Sequence, residues 1–164
     1  MARNPGRRAA LVDAGVEVLA REGARGLTFR AVDAAAGVPV GTASNYFTAR
    51  DELLRQIDTR LHQRLAPDPQ VLAGLMRAPK DRALVTALVH DLMTRVTGDR
   101  TGYLALLEMR LEAARRPELR ASYTESVRAD LEQGMEFHRS AGLPGVGVPE
   151  GLVERIVATV VPER

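Results

Sequence analysis

Three groups of residues set the chemical options of this 164-residue chain: the histidines His62, His90 and His138, a basic opening with Arg3, Arg7 and Arg8, and the bend Ala36-Gly37-Val38-Pro39. Metal ligation or proton transfer would need the histidines in company. They are scattered, and none stands in a Glu-x-x-His or His-Glu-x-x-His pattern. The absence of cysteine excludes disulfides, thiolate nucleophiles and Cys-containing zinc or iron–sulfur sites. No Walker-type or dinucleotide glycine loop occurs, and the glycines of 142–147 follow no strand. No cofactor and no metal is therefore expected, and catalysis is disfavoured.

The opening arginines point elsewhere. Residues 1–65 hold ten Arg and no Lys against seven acids, whereas residues 66–164 hold 13 bases against 14 acids, so the basic surplus sits at the front. With Asn4, Pro5 and Gly6 beside them, Arg3, Arg7 and Arg8 read either as a mobile basic arm suited to a polyanion or as a solvated terminus. The start does not read as a signal peptide, and no later run reaches the roughly 18 uncharged apolar residues of a membrane span. A cytoplasmic protein with no membrane partner is expected.

The elements that must position these groups are helical, since periodic stretches follow a helical spacing and none alternates like a strand. Leu11, Ala14, Val18 and Leu19 form a stripe on a helix over about 6–21, with Gly23 as its stop. Thr28 caps a second helix, Phe29–Ala36, which Gly37 ends, and Pro39 opens a third that runs to Tyr46. Thr48 and Asp51 make a variant capping box for a long fourth helix to Leu65. Pro67 and Pro69 then break the pattern. Further helices are expected over about 70–77, 81–96 (stripe Leu84, Val85, Leu88, Leu92, Val96), 103–114 (Leu104, Leu107, Leu111), 118–141 (Leu119, Tyr123, Val127, Leu131, Met135) and 150–161, with a loop from Gly142 to Pro149. The fold class is all-α.

Two short helices joined by Ala36-Gly37-Val38-Pro39 make either an ordinary αα-corner or a helix-turn-helix. In the second case the later helix is free to enter a DNA major groove while the earlier one braces it. Phe47 is assigned to the core.

The wider pattern Gly26-Leu27-Thr28-x-Arg30, Ala36-Gly37-Val38, Gly41-Thr42, Tyr46-Phe47 and Arg50-x-x-Leu53 resembles the amino-terminal domain of the TetR family of bacterial transcriptional regulators over about residues 6–54. The resemblance implies a helix-turn-helix head over 1–54 (motif 28–47) and a helical regulatory and dimerisation domain over 55–164, linked by the helix 49–65. It implies that Thr28 caps its helix near a phosphate and that Arg30 reaches a base edge. It also implies that Val40, Gly41, Thr42, Ser44 and Asn45 form the base-facing set, and that Tyr46 and Arg50 meet phosphates. Asp33, Pro39 and Ala43-Ser44 depart from the family pattern, and the Asp33 carboxylate would repel DNA unless a neighbour such as Arg30 neutralises it. The implied function is that of a ligand-responsive repressor acting as a homodimer, through the helices 118–141 and 150–161, on a palindromic double-stranded DNA operator. An unidentified small-molecule effector would sit among the middle helices, with Met93, Tyr103, Met109 and Arg110 as candidate lining. The alternatives from other classes are a helical adaptor and a helical enzyme without a DNA target.

Overall fold

A computed structural model of the chain describes residues 4–145 and 151–160, and all regular structure among them is helical, as expected. The helices are α1 (Pro5–Gly26), α2 (Phe29–Ala35), α3 (Thr42–Tyr46), α4 (Arg50–Leu65), α5 (Pro69–Leu75), α6 (Arg82–Gly98), α7 (Arg100–Arg115), α8 (Pro117–Ser140) and α9 (Leu152–Val160). Arg3 of the expected arm, residues 146–149 of the expected loop, and Glu150 and Val161 at the ends of the expected last helix lie outside the described residues. No described helix is long and apolar enough to cross a membrane.

The basic opening is helix rather than arm from Pro5 onward. The Asn4 side chain accepts the N–H of Gly6 at 2.9 Å and of Arg7 at 3.3 Å, and Pro5 occupies the first turn, where its missing donor costs nothing. Arg8 is thereby carried to the inner side of α1. The stripe Leu11, Ala14, Val18 and Leu19 is buried, and so are Val12 and Val16, because α1 is flanked by α2, α4 and α7. Gly23 leaves helical geometry at φ 69°, and a last turn carries the chain on to Leu27.

α7 differs from its expected orientation. Leu107 and Leu111 of its apolar stripe are exposed, and the buried positions are Gly102, Ala105, Met109, Glu112 and Ala113. Small residues let α7 lie close along α1, and that close approach decides which face turns inward. The α6 stripe is also only partly covered: Leu84 is buried while Leu92 is exposed. One hydrophobic core runs from Leu11 through Phe47, Leu54 and Leu61 to Met109 and Tyr123, so α1–α4 and the α7–α8 pair share an interior.

The Thr48 to Asp51 capping box does not form. α4 begins at Arg50 with Ala49 as a cap lacking a side-chain bond, and Thr48 instead donates its N–H (2.8 Å) and its hydroxyl (2.9 Å) to Glu52 Oε2. Asp51 turns to Arg116, 2.9 Å away. Arg8 completes the Glu52 cluster at 2.5 Å. The Thr48 backbone N–H above all, with Arg8 and the Thr48 hydroxyl, pulls the Glu52 pKa down to about 2. A depressed carboxylate stabilises the fold above its unfolded value near 4.5 and loses that contribution as pH falls towards 2. Glu52→Gln is expected to lower stability at neutral pH by about 1 kcal/mol. In urea unfolding as a function of pH, the difference from the unaltered chain should fade between pH 4.5 and 2; a constant difference would contradict the assignment.

Candidate nucleic-acid interface

α2 starts at the expected cap: Thr28 Oγ1 accepts the Ala31 N–H at 3.1 Å. After α2 the chain reverses at Gly37, φ 63°, and again at Gly41, φ 92°, backbone conformations that glycine adopts at little cost. Pro39 does not open the third helix. Residues 39–42 form a turn, with the Thr42 N–H on the Pro39 carbonyl at 3.1 Å, and α3 is reduced to the five residues Thr42–Tyr46.

A helix of five residues does not persist alone, because nucleation costs more than one turn of hydrogen bonds returns. Here it is pinned at both ends. Asp33, only 1% exposed, accepts the Gly41 N–H on Oδ2 and the Ala43 N–H on Oδ1, each at 2.7 Å. At the other end, Arg8 donates to the Tyr46 carbonyl at 2.8 Å while its guanidinium lies 4.8 Å from the centre of the Phe47 ring. Phe47 is buried, as expected, and stacks on Phe29 with ring centres 6.4 Å apart. Ala43 fills the remaining inner position.

Asp33 therefore neither faces outward nor relies on Arg30; two backbone donors satisfy it. A signal for this was available: Phe29, Val32, Asp33 and Ala36 fall at i, i+3, i+4 and i+7, so the acid stands in the buried stripe of α2 and must find donors in the next element.

The opposite side of the motif is open. Val40 is 77% exposed, Ser44 and Asn45 are exposed, and Gly41, Thr42 and Tyr46 are half-buried. The Thr42 and Ser44 hydroxyls donate inward, to the carbonyls of Pro39 (2.6 Å) and Gly41 (2.8 Å). That leaves the Thr42 methyl and the oxygen lone pairs for an outside partner. The Asn45 side chain makes no hydrogen bond among the described residues, so its amide retains donor and acceptor together. Arg30 is exposed and has no ion pair among the described residues. A fork of N–H donors and a free amide, both exposed on the motif, are suited to reading base edges.

Arg50 departs from its expected role. Its Nε donates to the Leu27 carbonyl at 3.1 Å, one terminal nitrogen bonds the Ala24 carbonyl, and the other pairs with Glu112 at 3.0 Å. The physical reason is charge placement. An arginine in the first turn of α4 gains nothing from the positive end of its own helix, whereas the Ala24 and Leu27 carbonyls at the end of α1 and the buried Glu112 of α7 attract it. Arg116 flanks the same carboxylate at 3.6 Å and holds Asp51, so the start of α4 is clamped to the end of α7. The expected effector lining is not brought together either. Met93 and Tyr103 are exposed, Met109 is in the core, and Arg110 reaches the Thr159 carbonyl at 2.8 Å.

Asp33→Ala leaves two buried N–H groups without acceptors and is expected to cost about 2–4 kcal/mol. Asp33→Asn, which keeps one acceptor, should cost roughly half of that. Arg50→Ala is expected to cost about 2 kcal/mol through loss of the joint with α7. Thermal unfolding of the three variants checks this order, and an unchanged midpoint for Asp33→Ala would refute the anchoring role.

Residues 11–57 match the family described as bacterial regulatory proteins, tetR family, and residues 80–161, half of the chain, match the tetracyclin repressor-like C-terminal domain. The chain is 30% identical over 130 residues to the HTH-type transcriptional regulator BetI of Agrobacterium fabrum, a match covering 77% of this chain but 62% of that regulator, less than two thirds of its length. Among solved structures, a TetR-family member from Streptomyces coelicolor A3 superposes with TM-score 0.58 at 25% identity, over 96% of this chain and 99% of that one. The multidrug binding protein EbrR complexed with imidazole superposes with TM-score 0.58 at 26% identity, over 98% and 93%. With both its front and its rear segments matching the family's models, the chain belongs to the TetR family of bacterial regulatory proteins.

Proposed function

We propose that this chain is a sequence-specific DNA-binding transcriptional regulator, acting as a homodimer on a palindromic duplex and released by a small-molecule effector. The observation that carries the reading is the division of α3 into two faces. Ala43 and Phe47 are buried behind it, while Val40, Ser44 and Asn45 stand exposed with Arg30 unpaired nearby in sequence. An anchored helix with an open polar face fits the major groove, which admits a helix and offers a distinct donor and acceptor pattern for each base pair. Thr28, Arg30, Val40, Gly41, Thr42, Ser44, Asn45 and Tyr46 are the proposed contact set. Arg50, committed to Glu112 and two carbonyls, is assigned to the joint instead.

The head is taken as residues 1–54 and the regulatory part as 55–164, with α4 common to both. α8 and α9 are the proposed dimer elements, and two heads held by a two-fold axis would present their α3 helices about one helical turn of DNA apart. An effector among the middle helices acts on DNA binding only so far as it binds the two arrangements of α4 and α7 differently.

Selection of bound sequences from random duplexes, followed by gel-shift titration at several salt concentrations, tests this. The expected result is a palindromic consensus and an affinity that falls steeply with salt. Arg30→Ala should relax preference at one base position, and Asn45→Ala at another, each by about 1–3 kcal/mol of discrimination without loss of helical content. If neither variant alters the selected consensus, the base-reading assignment fails; if no sequence is enriched, the regulator reading fails.

A further inference from the structure

On the reading of this chain as a sequence-specific DNA-binding regulator, the outer surface of the motif also points to a base edge that it selects. Residues 34–49, from the end of α2 through α3 to the cap of α4, include no charged side chain. Guanine is read most often by an Arg or Lys on its O6 and N7, and this segment has neither. The two hydroxyls of α3 are also spoken for. Thr42 and Ser44 donate their protons to the carbonyls of Pro39 and Gly41, at 2.6 and 2.8 Å, so neither supplies a donor to a base.

What the segment turns outward instead is apolar. Val40 is 77% exposed, more than any other large apolar side chain among the described residues. It occupies the second position of the turn 39–42, which the Thr42 N–H closes on the Pro39 carbonyl at 3.1 Å. Left-handed bends at Gly37 and Gly41, φ 63° and 92°, bracket it, and the Gly41 N–H is tied to the buried Asp33 at 2.7 Å. The backbone that carries Val40 is thus fixed before any partner arrives. A β-branched side chain on such a backbone has few rotamers to lose, so contact through it costs little entropy.

We infer that Val40 recognises the C5-methyl group of a thymine in the major groove and thereby selects an A·T pair in each half-site of the operator. That methyl is the one methyl group on any base edge of the groove, and contact with an apolar side chain takes both out of water. Burying one methyl changes affinity by about fourfold. A cytosine at the same place carries an N4 donor and no methyl, so Val40 would displace water from a polar edge without replacing its hydrogen bond. A valine that is simply part of the solvated surface, as single apolar residues often are, would be indifferent to the methyl.

Duplexes built on the selected consensus, with deoxyuridine in place of thymine at one symmetrical pair of positions at a time, test the inference. Deoxyuridine lacks the C5-methyl and keeps every hydrogen-bonding group. Affinities of the full chain for these duplexes are measured by fluorescence anisotropy at fixed salt. At one pair, the replacement is expected to weaken binding by about fourfold for each half-site. Val40→Ala is expected to bind the thymine and deoxyuridine duplexes of that pair equally. Should Val40→Ala lose its helical circular dichroism, Val40→Thr, of the same shape with a hydroxyl for one methyl, is expected to reduce the preference at the same pair. Affinity unchanged by deoxyuridine at every pair, a consensus without thymine in its half-sites, or a thymine preference that persists in full in the folded Val40 variant would each overturn it. An enriched consensus indifferent to deoxyuridine defeats this inference only, whereas the absence of any enriched sequence defeats the regulator reading and this inference with it.

Discussion

A five-residue helix with no stability of its own depends on charges placed at its two ends. Asp33 sits at the amino end of α3, where two N–H groups lack helical partners, and Arg8 sits at the carboxyl end, where the Tyr46 carbonyl does. Each charge has the sign that the helix dipole favours at its end. Both come from other helices, α2 and α1, so α3 cannot shift along its axis without breaking a bond at one end. Phe47, held between Phe29 and the Arg8 guanidinium, prevents it from lifting away. What remains free is the outer surface, and the proposed DNA contacts follow from that freedom.

The same economy of charge ties the motif to the rest of the molecule. Arg50 joins the end of α1 to Glu112 of α7, and Arg116 joins that glutamate to Asp51, so the start of α4 is held by two arginines and two acids. Two turns further along α4 lies Asp58, and one turn before Glu112 lies Met109, both at an open cleft between α4, α7 and α8. On the proposed reading, an effector would alter DNA binding only through a differential affinity for positions of α4 against α7.

Much of the architecture is legible in the sequence because it is local. Helical periodicity places the helices, Thr28 caps α2, Gly37 supplies the left-handed bend, and Phe47 is apolar where the motif closes. What escapes a local reading is the destination of charged side chains. Asp33, Arg8 and Arg50 each bond backbone groups of elements 8 to 38 residues away, and nothing in a window around them names those partners. The family resemblance implies a phosphate ligand at Arg50, yet the fold offers it two carbonyls and the buried Glu112 carboxylate. The faces of α6 and α7 escape for another reason. Periodicity identifies an apolar side but not the competing side of small residues, and the buried Ala105 and Ala113 allow α7 to approach α1 where leucines would hold it off.

The central claim is that α3 is held from behind by Asp33 while its outer face meets DNA. Residue-resolved amide hydrogen exchange and side-chain amide shifts, recorded on the chain alone and with a selected duplex, address both halves at once. The account predicts slow exchange at the Gly41 and Ala43 amides before DNA is added, and a large shift of the Asn45 side-chain amide on binding. Rapid exchange at those two amides in the free chain, or an Asn45 resonance indifferent to a bound duplex, would contradict it.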